Sequence, residues 1–291
     1  MSFDGAEARD LVASTRRRER NDLQRISVHG QGFFYLCRSA AAVLDHPLFP
    51  GATSAIEPGP WHYGADYVAV YFDADPGKLG ELLPSGFRAD GGLCMAYVCE
   101  IVSVSDKGAD MVAAQPDRTL YHEAALGVKC KWADKPGVFF PVMWVTTEWS
   151  LLRGLLNGYQ KRLADKISMT KLHPLNPGLR PLGAGSKFSG FCVKGYTTTL
   201  SVNVTVDREG SQSDLPSLGS TFGMRRLPQT HPSQDEVSEP VKIIKSNSRV
   251  SDVWLGAGSL QTSLEVGDIR PRFGAVYKSG FTISGSEVLN P

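Results

Sequence analysis

Residues 199–206 read Thr199-Leu200-Ser201-Val202-Asn203-Val204-Thr205-Val206. Leu200, Val202, Val204 and Val206 fall on one side, and Ser201, Asn203 and Thr205 on the other. That period of two is the mark of a half-buried strand, and β-branched residues fit its pleated surface. The signal recurs along the chain. Residues 66–73 and 92–105 are rich in Val, Tyr and Ile, and residues 120–132 place Leu120, Ala124, Leu126, Val128, Cys130 and Trp132 on one face. Later strands are expected near 241–245, 252–264 and 272–284. Many short strands separated by Gly, Pro and Asp predict a mainly β protein with a mostly antiparallel sheet or barrel.

Two helices interrupt the pattern. Asp75-Pro76-Gly77 opens one that ends at Pro84, since proline is tolerated in a first turn and not later. The other starts near Thr147, whose hydroxyl is expected to cap it, with Glu148 at the positive end. Trp149, Leu152, Leu156 and Tyr159 form its apolar stripe. Continued past Gly158, this helix would turn Lys161 to water. Ended at Gly158, it releases Tyr159, Lys161 and Leu163 onto one side of an extended segment. The extended arrangement is the one compatible with a buried amine.

The segment concerned, residues 158–165, reads Gly-Tyr-Gln-Lys-Arg-Leu-Ala-Asp. A second cation and apolar surroundings lower the pKa of a lysine amine, and a neutral amine attacks a ketone to form a Schiff base. Lys161 is thus a candidate nucleophile and Arg162 its candidate neighbouring cation. The bland alternative is a solvated pair in which Arg162 partners Asp165. Around the segment, in order, stand Gly59-Pro60-Trp61-His62-Tyr63, Leu82-Leu83-Pro84-Ser85-Gly86-Phe87, Tyr121-His122-Glu123, Asp252-Val253-Trp254-Leu255-Gly256 and Gly267-Asp268-Ile269-Arg270-Pro271. In this order the chain resembles the acetoacetate decarboxylase superfamily over about residues 57 to 280.

The resemblance implies an α+β architecture: a cone-like antiparallel β-barrel with a flanking sheet and a few helices. It places the Schiff-base lysine at Lys161, a second cation at Arg162 and the strand carboxylate, a general acid or base, at Glu123. His62, Tyr63, Tyr121 and Tyr159 become candidates for substrate contact. Two departures stand out. Gln160 replaces the proline before the lysine, and Ala65 stands where the family has a carboxylate-binding arginine. Arg226, near a proline turn, and Arg153 are the candidates to replace that arginine. The function implied is a lyase that decarboxylates a keto acid through a lysine iminium, with no cofactor. Aldol condensation, dehydration or cyclisation on the same lysine is one alternative, and a non-catalytic ligand-binding barrel is another.

The chain has 291 residues, 42% of them hydrophobic, and a net charge of +1. These values predict a globular protein with no electrostatic footprint for nucleic acid. No apolar run reaches the ~18 to 20 residues that span a membrane. Arg16-Arg17-Arg18-Glu19-Arg20 leaves no signal-peptide core, and Asp4, Glu7 and Asp10 argue against a transit peptide, so a cytoplasmic protein is expected. Cys37, Cys94, Cys99, Cys130 and Cys192 form no Cys-x-x-Cys pair and read as buried thiols, with no metal site. Gly30-Gln31-Gly32 and Gly183-Ala184-Gly185 lack the strand–Gly–helix context of a dinucleotide site. Residues 1–56 read as an N-terminal extension and 57–291 as the β domain. The resemblance adds a homo-oligomer, acting on a small keto acid or related carbonyl compound.

Overall fold

The computed structural model describes residues 56–106, 110–231, 233 and 235–290. The expected extension over 1–56 therefore lies, but for Ile56, outside the described residues, as do Cys37 and Gly30-Gln31-Gly32. The strands are β1 (Trp61–Asp73), β2 (Phe87–Ser105), β3 (Leu120–Trp132), β4 (Lys135–Val145), β5 (Lys161–Leu163) and β6 (Lys166–Met169). They continue with β7 (Lys187–Lys194), β8 (Thr197–Glu209), β9 (Ser220–Leu227), β10 (Val237–Thr262) and β11 (Arg270–Val288). Hydrogen bonding runs β11-β1-β2-β3-β4-β9-β10, and β10 pairs back onto β11, which closes a barrel. Neighbours are antiparallel except where β4 meets β9 and β5. The second half of β10 leaves the barrel to pair with β8, and β8-β7-β6 extend from it.

This path gives β1, β2 and β3 two buried faces. Tyr67, Tyr71, Met95, Tyr97, Tyr121 and Ala125 point into the barrel. Val68, Val70, Phe72, Val98, Ala124 and Leu126 point outward, beneath Phe188, Leu200, Val202, Val204 and Val206. Fully burying one such aliphatic side chain contributes ~1.5–3 kcal/mol. The alternation at 199–206 is clean because β8 covers the barrel with one face and meets water with the other. Cys94, Cys99, Cys130 and Cys192 are buried free thiols.

β4, β6, β7 and β9 have no counterpart among the expected strands. Val138 and Phe140 point into the barrel, and so do Met143 and Val145. The parity therefore flips at Pro141, where the register against β3 shifts between Leu126 and Val128. A proline without an N–H fits such a bulge, and the bulge erases the period of two. The stretches expected at 241–245 and 252–264 are one strand, β10, broken by shifts after Ile244, Ser246 and Ser251.

Helix α1 (Pro76–Glu81) is capped by Asp75, whose Oδ1 accepts from the Lys78 amide at 2.9 Å. Helix α2 (Glu148–Asn157) starts where expected, but the Thr147 hydroxyl makes no cap bond and is buried without a partner. Its buried face also differs from the expected stripe: Trp149, Ser150, Arg153, Gly154 and Asn157 turn inward, while Leu155 and Leu156 are exposed. The helix packs on a cavity, and its polar and small side chains face that cavity. Among the described residues no helix is long and apolar enough to cross a membrane.

Candidate active site

Helix α2 stops at Gly158, whose φ of 99° is the left-handed conformation that glycine adopts without strain. The chain then runs extended. The Gly158 carbonyl accepts from the Met224 amide at 2.8 Å, and the Gln160 carbonyl from the Met143 amide at 3.1 Å. The Gln160 side-chain amide donates to the carbonyls of Met224 (2.7 Å) and Gly158 (3.1 Å). At the position of the family's proline, these bonds fix the segment to β9.

Lys161 consequently points inward and folds back along α2. Its Nζ lies 2.8 Å from Glu123 Oε2 and donates to Ser150 Oγ at 3.1 Å. The Tyr121 and Tyr159 ring centroids lie 5.2 and 5.9 Å from the same nitrogen. Both charged side chains are almost sealed from solvent, at 7% for Lys161 and 6% for Glu123. Tyr97 donates to the other carboxylate oxygen, Oε1, at 2.7 Å, which leaves Oε2 aimed at the amine.

The pair sits in a cavity of about 1010 Å³ that fills the barrel. Its walls are aromatic: Tyr63, Tyr67, Tyr71, Tyr97, Tyr121, Tyr159 and Tyr277 all contribute. Burial, with Glu123 as a further cause, holds the Tyr97 and Tyr121 phenols well above their ordinary range. Burial does the same to Tyr67, Tyr159 and Tyr277. These phenols therefore remain neutral hydrogen-bond donors.

Lys161, Glu123, Tyr63, Tyr121 and Tyr159 are thus brought together, as expected from the sequence. Three candidates are not. Arg162 is exposed and absent from the cavity wall, because adjacent residues of a strand point to opposite faces. Asp165, its suggested partner, is held by Lys194 at 2.8 Å. His62 lies on the face of β1 opposite Tyr63 and bonds Thr282 (3.0 Å) and Asp106. Arg226 is carried past the barrel end by β9 and pairs with Glu236 at 3.5 Å. Leu163 is 39% exposed and adds nothing to the site.

Arg153 does line the cavity. Its guanidinium donates to Ser103 Oγ at 2.7 Å and to Glu57 Oε2 at 3.3 Å. It is stacked between Trp61 and Trp149, with 5.4 and 4.9 Å to the ring centroids. Sequence reasoning missed Tyr97, Ser150 and Lys245. Ser150 carried a signal: it stands one helical turn before Gly154, on the face that Lys161 crosses. Lys245 lies on β10 in the cavity wall, with Nζ 4.8 Å from the Phe281 ring centroid. The surrounding protein draws its amine down to about 8, against a smaller opposing effect of Glu123. The side chain is accessible from the cavity, so protein bulk around it causes the depression, and cavity water moderates it.

Residues 45–268 match the family model described as acetoacetate decarboxylase (ADC). The chain is similar to an acetoacetate decarboxylase-like enzyme from Sphingomonas wittichii RW1, at 37% identity over 83% of this chain and 97% of that one, with a TM-score of 0.78. It shares its fold with the enduracididine biosynthesis enzyme MppR in complex with the condensation product of pyruvate and imidazole 4-carboxaldehyde. There the identity is 24%, over 81% of this chain and 92% of that one, with a TM-score of 0.73. An acetoacetate decarboxylase from Legionella pneumophila has the same fold at 13% identity, over 92% and 94% of the two chains, with a TM-score of 0.64. No curated protein matches the chain.

Proposed function

The chain belongs to the acetoacetate decarboxylase family, and on that premise we propose that it holds a keto acid as an iminium on Lys161 and works through the derived enamine. The observation that supports this most is the 2.8 Å contact between Lys161 Nζ and Glu123 Oε2 inside the cavity. A lysine ammonium must lose a proton before it attacks, and a carboxylate at this distance is placed to take it. The amine adds to the carbonyl carbon, the carbonyl oxygen leaves as water, and the iminium remains on Nζ. That cation draws electrons from the neighbouring carbon. Loss of a proton there to Glu123, or loss of carbon dioxide from a β-keto acid, leaves the enamine. Reprotonation or attack on an electrophile restores the iminium, and water then frees the product and the amine.

Of these outcomes, attack of the enamine on a second carbonyl compound has the better support. The cavity of about 1010 Å³ stands at the top of the ~300–1,000 Å³ typical of small-molecule sites, which is room for two reactants. The charge of Arg153 is already partnered by Glu57. MppR, with the same fold, holds a condensation product of pyruvate. A specific observation favours simple decarboxylation as the second reading: Arg153 lines the cavity, and a guanidinium fixes a carboxylate in bidentate fashion.

Pyruvate with an aromatic aldehyde, followed by the absorbance of the conjugated product, tests the first outcome. Carbon dioxide release from acetoacetate tests the second. Condensation with little carbon dioxide supports the first, and fast release the second. Absence of both, with no borohydride-trapped adduct, would leave only a binding barrel.

A further inference from the structure

Two of the three cations in the cavity wall have carboxylate partners: Lys161 has Glu123 and Arg153 has Glu57. Lys245 has no ion-pair partner among the described residues. Its position is set by strand order. Going round the barrel from β3, which carries Glu123, the path crosses β4 and β9 before β10. In a barrel of these seven strands, three steps reach the opposite wall. Lys245 therefore faces the Lys161–Glu123 pair across the cavity.

Its surroundings suit a ligand and offer little else. The ammonium lies over Phe281, which stacks on Tyr63 at 4.9 Å and 15°. The hydroxyls of Ser248 and Ser279 lie in the same wall. An ammonium has three donors and an aromatic face satisfies none of them fully. The side chain is open to water, so water meets its remaining donors until an anion takes their place.

We propose that Lys245 is a second anion subsite, so that the substrate is a keto acid bearing another acidic group at the end remote from the carbonyl. The assignment rests on the reading of Lys161 as the carbonyl-binding amine. The depressed pKa accords with it: at neutral pH the amine is still mostly charged, and an incoming anion relieves the cost of that charge.

Two measurements separate this assignment from the Schiff-base reading. The first is borohydride trapping, quantified by intact mass, with 2-oxoglutarate and 2-oxoadipate beside 2-oxopentanoate and 2-oxohexanoate. The diacids are expected to half-saturate at concentrations about tenfold or more below the matching monoacids. That ratio is expected to collapse in Lys245→Gln and to persist in the surface control Lys187→Gln. The second is calorimetry with glutarate and adipate, which bind without forming an imine. Binding by wild type that weakens about tenfold in Lys245→Gln is expected. If no imine is trapped but the diacids bind through Lys245, the subsite stands and the Schiff-base reading falls. If imines form without diacid preference, or the preference survives Lys245→Gln, the subsite is overturned.

Discussion

Lys161 lies directly across Gly154: a Cβ at residue 154 would stand 2.2 Å from Lys161 Cδ and 2.7 Å from Cε. The glycine is the groove in α2 through which the lysine reaches Ser150 and Glu123. In Gly154→Ala the flexible side chain must yield, not the backbone, while alanine favours the helix by ~1 kcal/mol. Melting temperature is expected to hold or rise. Imine formation is expected to slow at least about tenfold, since a misplacement near 1 Å can cost ~100-fold. Melting curves and trapping rates on one sample check this pairing; an unchanged rate would show that the lysine reaches carbonyls by another path.

Glu123→Gln keeps the shape of the site and an acceptor for Tyr97, but removes the base. Turnover is expected to fall by about 10² to 10⁴, with slow borohydride trapping still detectable. Steady-state rates measured beside trapping yields give the answer. Turnover within a few-fold of wild type would assign proton transfer to another group.

Much of this site was legible because strand and helix periods are local. Period two put Tyr159 and Lys161 on one face, and Gly158 supplied the helix stop. The same rule excludes Arg162 beside Lys161 and His62 beside Tyr63, since neighbours along a strand point apart; adjacency in sequence suggests Arg162 as the neighbouring cation, and family order suggests His62. β4 stayed hidden because Pro141 and its bulge break the alternation. Lys245 stayed hidden for a different reason. It closes the strand expected at 241–245, on the face of Val241 and Ile243, and opens a polar run to Asp252 that hides the continuation of β10 along β11. The period of two gives its face, and long-range pairing gives the cavity it meets.

Gln160→Ala removes two hydrogen bonds, one that ties the lysine segment to Met224 on β9 and one that holds the turn at Gly158. A stability loss of about 1–2 kcal/mol is expected, together with slower trapping. Urea midpoints report the first and trapping rates the second. Unchanged values of both would mean that β5 is held by its backbone bonds alone.

Lys245→Met is expected to stabilise the protein at pH 7, by on the order of 1 kcal/mol once cavity water is allowed for. The native amine titrates at about 8 and the unfolded one near 10.5. Between those values the unfolded chain holds a proton the native state has lost, so wild-type stability rises with pH there. The variant lacks the group, and its advantage is expected to shrink as pH climbs through about 8. Urea midpoints of both proteins at pH 7 and 10 test the sign; an advantage that grows with pH would contradict it.

The central claim is that Lys161 is the amine that meets the carbonyl, and peptide mapping after borohydride reduction tests it most directly. Wild-type protein incubated with pyruvate or acetoacetate is expected to carry the reduced adduct on the peptide containing Lys161, and Lys161→Ala to carry none. An adduct on Lys245, or no adduct with either keto acid, would contradict the account.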